Sequence, residues 1–224
     1  LESYGAVAYD RPAFNAALAA SRERLADAAR RTQRGAVSAY LESPTFGGSS
    51  WLAHSSLLTG VEVREPQNYH LLLTRECDTL PDRFARQGYR TLGLMPGLRY
   101  AWPEGDFYGF QQILGERILD YRGPEFGWWR IPDQYAIARL DQLEISVAQR
   151  PPLFVFYPTI SSHMPFRPTP PYQADWDRML TQQPFEPGTL EVSLTRPPDW
   201  TDLGSAYTDA LNYAFTWLAG YLEK

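Results

Sequence analysis

At 224 residues, 44% hydrophobic and 14% aromatic, the chain is long enough for a globular domain with a helix-covered sheet and too apolar for a disordered one. A net charge of −5 excludes the basic footprint of a nucleic-acid binder. The single cysteine, Cys77, excludes an internal disulfide, and no run of roughly 18 apolar residues marks a membrane span.

In chain order, Leu1 runs straight into Glu2-Ser3-Tyr4-Gly5, which reads as the end of a core strand. Apolar residues at helical spacing predict a solvent-facing helix over Pro12–Arg31. Residues 35–41 read as a short strand leading into Ser43-Pro44, followed by a Gly47-Gly48 turn and a helix over about 50–59. A further helix is expected over 78–88, capped by Asp78 and closed by Gly88, then a strand over 89–95. Residues 97–131 read as a long irregular stretch rich in aromatics and glycine, the kind of loop that carries function. Pro132 opens a predicted helix over 132–147, and 153–160 is an apolar strand expected at the buried centre of a parallel sheet. The proline-rich stretch 167–200 reads as a covering loop, and 207–222 as one amphipathic helix. The helix–Gly–strand rhythm predicts an α/β fold with a mostly parallel central sheet.

Three segments place polar residues at an expected strand end or the turn after it: Glu2-Ser3, Ser49-Ser50, and Ser161-Ser162-His163. Open α/β sheets bind ligands along that edge. The Ser49-Ser50 turn puts a hydroxyl at a helix N-terminus, where unpaired amides and the helix dipole favour an alkoxide or a phosphate. Ser49 or Ser50 is the candidate nucleophile, and Ser49 is the better plain cap. His54 lies one turn after Ser50 on the same helical face and is within reach of such a site. Glu42, beside the turn, is a first candidate for metal binding, while His70 reads as surface and Cys77 as inert.

Glu2-Ser3-Tyr4-Gly5, the turn into Trp51-Leu52-Ala53-His54 and Leu57-Leu58-Thr59-Gly60, and Ser161-Ser162-His163-Met164-Pro165-Phe166 together resemble the alkaline phosphatase superfamily. Within it the chain is similar to sulfatase-like membrane proteins related to lipoteichoic acid synthase and phosphoethanolamine transferases. The resemblance implies a single catalytic domain over 1–224 with helices on both faces of the sheet. It also implies one divalent metal ion (Mn²⁺, Mg²⁺ or Zn²⁺; Ca²⁺ in a true sulfatase) and a small or lipid-linked phosphate or sulfate ester as substrate. Glu2 falls on the family's first acidic metal ligand. Counting ten residues back from Gly60 puts the nucleophile, itself a metal ligand, on Ser50 rather than Ser49, and the Glu2 match displaces Glu42 as metal candidate. His163 falls on the substrate-binding histidine and Trp102 on a tryptophan that lines the polar-group pocket.

Glu104 stands where lipoteichoic acid synthase has an arginine, which speaks against a glycerophosphate substrate. The family's remaining Asp-His metal ligands have no counterpart, and the last helix resembles the one that precedes them. The chain is therefore expected to be a piece of a longer protein, cut before its final metal-ligand strand. Membrane anchoring, at the extracytoplasmic face of a bacterial inner membrane, is expected only through segments outside it. Conversion of the nucleophile to formylglycine needs a proline two residues on and an arginine four residues on, but these positions are Leu52 and His54. Serine-based phosphate or sulfate ester chemistry is thus preferred. A formylglycine sulfatase and a non-catalytic binding protein of the same fold are the alternatives.

Overall fold

The computed structural model describes residues 1–127 and 129–224. Its centre is a three-stranded parallel sheet in the order β2-β1-β3, formed by β1 (Arg90–Leu94), β2 (Gln112–Leu114) and β3 (Leu153–Phe156). Leu92 pairs with Gln112 on one side of β1 and with Val155 on the other.

Alternation along these strands decides what each face packs against. Leu92, Leu94, Leu153 and Val155 belong to the larger core, with Tyr135, Ile137 and Leu140 of α7 (Asp133–Leu140) and Tyr213 and Trp217 of α10 (Gly204–Glu223). Phe154 and Phe156 point the other way. Phe154 stacks on Phe84 of α5 (Leu80–Arg86) at 4.4 Å, and Phe156 joins the cluster built on Leu52 and Leu58 of α3 (Ser50–Thr59). Helices therefore cover both faces, as expected for the α/β class. α2 (Pro12–Arg31) forms an outer layer on α10, burying Leu18 and Ala28, and its Ser21 hydroxyl donates to Asn212 Oδ1 at 2.5 Å. Most of its surface stays in solvent; the short α1 (Val7–Asp10) precedes it, and α4 (Pro66–Leu73) follows α3.

Several expectations need correction. Residues 35–41 form no strand: Val37 and Leu41 are almost fully exposed, and no neighbour offers them a ladder. Glu2 and Ser3 form a turn anchored by side chains, because the Glu2 amide donates to Thr159 Oγ1 and the Tyr207 hydroxyl donates to the Ser3 carbonyl. β3 is an edge strand of half-buried residues, and the central position belongs to β1. It stops at Phe156, two residues before Pro158, which has no amide to give a ladder. The helix expected from 78 is capped by Thr79, whose hydroxyl accepts from the Asp82 amide at 3.2 Å; Asp78 turns outward to Arg83 and Arg86.

The stretch 97–131 contains a 3-10 turn over Pro103–Tyr108, β2, and the short α6 (Glu116–Leu119). At its corner, Gly109 (φ +75°) lies so close to the Asp82 carboxylate that any side chain would collide with it. The proline-rich segment likewise contains α8 (Trp176–Met179) and α9 (Pro187–Thr195). Pro132 precedes rather than opens α7, which relaxes into a π turn over Asp141–Ile145.

Candidate active site

Gly47, Gly48 and Ser49 all have positive φ, at 68°, 144° and 54°. The two glycines reach these angles without steric cost, and the sharp reversal delivers the chain into α3 with Ser50 at its first position. Ser49 occupies the cap position in the left-handed region, yet its side chain makes no capping bond. The expectation that Ser49 caps the helix is thus corrected: its φ turns the hydroxyl away from the amides it would need. The Leu52 amide closes onto the Ser49 carbonyl at 2.9 Å, leaving the amides of Ser50 and Trp51 at the open end. Leu52, Ser55 and Leu58 are buried, whereas Trp51 is 43% exposed and faces a cleft.

The turns that follow β1 and β3 complete the site. Residues 95–98, directly after β1, and residues 158–160 with His163, after β3, line a pocket of about 240 Å³ together with Glu2, Ser50, Trp51 and His54. The strand C-terminal edge is thus where the polar residues meet, as the general rule for parallel sheets anticipates. Glu2, Ser50, His54 and His163, which come from three distant segments, share this one pocket. Trp102 lies in an adjoining cleft of about 470 Å³ that shares Trp51, His54, Met95 and Leu98 with the first. Glu42 is on neither; it is exposed and 3.8 Å from Arg64. His70 is exposed and only edges the larger cleft, and burial pushes the Cys77 thiol pKa up.

The post-β3 turn is held by a group that sequence reasoning passed over. Asp133, fully buried at the start of α7, accepts from the Tyr157 hydroxyl at 2.8 Å and from the amides of Ile160 at 2.9 Å and Ser161 at 2.8 Å. Burial pushes its carboxyl pKa up, and these donors oppose that rise. Its signal in the sequence is an acid directly after Pro132 at a helix start, a position that also suits ordinary capping. From the same turn, the Ser162 hydroxyl donates to the Glu2 carbonyl at 2.7 Å. Glu2 is therefore tied to the β3 end through its backbone on both sides, and its carboxylate, which accepts from the Ser3 hydroxyl at 3.3 Å, lines the pocket.

The two histidines differ in environment. Burial holds the His54 imidazole pKa below its ordinary value of 6.5, the Glu2 carboxylate opposing the shift, so the ring is neutral at pH 7. Its ring meets Phe156 edge-on at 5.6 Å. His163 Nδ1 lies 2.7 Å from the Met164 carbonyl, which can only accept, so Nδ1 carries a proton.

The metal implied by the resemblance finds two donors here, the Glu2 carboxylate and the Ser50 hydroxyl. Among the described residues no group of three or more His, Cys, Asp or Glu side chains is placed to hold an ion. The donors present suit a hard divalent cation but do not by themselves complete its coordination. No family model, curated protein or solved structure matches this chain.

Proposed function

We propose that this domain acts on phosphate or sulfate esters through Ser50, as a sulfatase-like hydrolase or transferase of the alkaline phosphatase superfamily. The observation that carries the reading is the meeting of Glu2, Ser50, His54 and His163 in one pocket at the C-terminal edge of the sheet. In the proposed reaction the Ser50 Oγ bonds to phosphorus or sulfur while the bond to the leaving alcohol breaks. The Ser50 proton passes to solvent by way of neutral His54, and the departing alkoxide takes up a proton from water. Water or a second alcohol then frees the enzyme. The open amides of Ser50 and Trp51 face developing oxygen charge, and His163 steadies the ester group.

A carboxylate lining a pocket for an anionic ester would repel it unless a cation lay between them. Glu2 thus supports a metal-dependent reaction, with Glu2 and Ser50 placed to hold a divalent cation. When bound, such an ion (Mn²⁺, Mg²⁺ or Zn²⁺) lowers the hydroxyl pKa and offsets charge on the ester oxygens. Among the described residues no helix is long and apolar enough to cross a membrane. The proposed location, the extracytoplasmic face of a bacterial inner membrane, rests on the family resemblance alone.

A non-catalytic binding protein is the second reading, favoured because among the described residues no group of three or more His, Cys, Asp or Glu side chains is placed to hold an ion. A formylglycine sulfatase has the weaker case, since Leu52 and His54 stand where the modifying enzyme needs proline and arginine. Hydrolysis of aryl phosphate and aryl sulfate esters with Mn²⁺ present separates these readings. Ser50→Ala is expected to lower the rate by at least about 100-fold with the fold intact by circular dichroism. An undiminished rate would overturn the role of Ser50, and the absence of turnover in the native protein would favour the binding reading.

A further inference from the structure

The larger cleft is aromatic on nearly every side. Trp51 and Tyr69 meet edge to face, centroids 4.7 Å apart and planes at 85°, so that two walls stand perpendicular. Trp102 and Tyr108 form a third side, their rings 5.6 Å apart, and Phe156 closes the back. Among the described residues one carboxylate, Glu104, lines this cleft, with two histidines, His54 and His70, and no lysine or arginine. Glu104 is half-buried and makes no ion pair or hydrogen bond among the described residues. It lies close enough to Tyr69 and Tyr108 that its charge, added to the larger effect of burial, raises both phenol pKa values.

Aromatic faces carry negative quadrupole potential, and several of them around one unpaired carboxylate make a box suited to a diffuse cation. An anion would meet Glu104 with no lysine or arginine of the lining beside it. A compact, strongly hydrated ion such as Na⁺ would lose its water to ring faces that return little. An alkylammonium group fits both features, since its methyl or methylene surface packs on the rings while its charge faces the carboxylate. We infer that this cleft binds an alkylammonium head group of the choline type, so that the ester presented to Ser50 carries a positive charge on one side. The two cavities share Trp51, His54, Met95 and Leu98, which lets one short molecule occupy both. The link to an ester rests on the reading of the Ser50 pocket given above, whereas the cation box itself does not.

The test is a calorimetric titration of the protein with choline and with 3,3-dimethylbutan-1-ol, its uncharged isostere. Choline is expected to bind at least about 10-fold more tightly. Glu104→Gln should remove that advantage while leaving the alcohol's affinity unchanged, and Trp102→Leu should weaken choline more than the alcohol. Tetramethylammonium and ethanolamine as further probes distinguish a quaternary from a primary ammonium. Equal affinity for choline and the alcohol would overturn the inference in favour of a purely apolar pocket, as would no binding of choline. Loss of choline binding beside intact Ser50-dependent hydrolysis removes only the head-group assignment. Choline binding without any hydrolysis removes the proposed reaction and leaves the box.

Discussion

Asp133 shows how a residue with no part in the chemistry can shape a pocket. Its two oxygens collect two backbone amides and a tyrosine hydroxyl, which fixes the turn that carries His163 and receives Glu2. Asp133→Ala leaves those donors buried without an acceptor and is expected to cost about 3 kcal/mol or more, measured by urea unfolding. Asp133→Asn keeps the volume and one acceptor oxygen and should cost less. His54 makes a pH-dependent contribution of definite sign. Its pKa in the folded state is depressed below 6.5, so the unfolded chain binds the proton more readily. The stability it permits is complete above about pH 6.5 and is lost as pH falls from there through its folded pKa. A pH series of urea midpoints should therefore fall more steeply below about pH 6.5 for the native protein than for His54→Gln; parallel curves would show that His54 is not desolvated.

At the scale of elements, Thr79 links α5 to the turn that carries Glu104 and Tyr108. Its buried hydroxyl accepts from the Asp82 amide and lies 2.7 Å from the Tyr108 carbonyl, to which it donates. Thr79→Ala should lower stability by about 1–2 kcal/mol in thermal unfolding and Thr79→Ser by much less. Elements whose signal is periodic were legible in the sequence. α2, α3, α10 and β1 lie within a few residues of their expected limits because apolar spacing and glycine punctuation mark them locally. β2 has only three residues and takes its existence from pairing with β1, so no local pattern announces it. Residues 35–41 show the converse, a strand-like composition with no partner. The site was legible as far as it consists of strand ends and a helix start, which brought Ser50, His54 and His163 forward. Asp133, whose local mark is no more than an acid at a helix start, and the wall formed by Tyr69 and Tyr108 depend on contacts between distant segments.

For the whole molecule, the three-layer arrangement explains why chemistry would sit where it does. The larger core packs α7 and α10 on one face of the sheet, and α3 and α5 pack on the other. The loops following β1 and β3 are thereby left to converge on the N-terminus of α3. Glu2, contributed by the first residues of the chain, completes the rim by hydrogen bonds to the β3 loop, and Tyr207 of α10 braces the adjoining Ser3. The central claim is that Ser50 is the nucleophile of this convergence. Peptide mass spectrometry after incubation with an aryl phosphate ester and Mn²⁺, quenched in acid, tests it most directly. A phosphoryl group is expected on Ser50 of the native protein and none elsewhere. Phosphorylation of a different residue, a formyl group at position 50, or an unmodified Ser50 while ester turns over would contradict it.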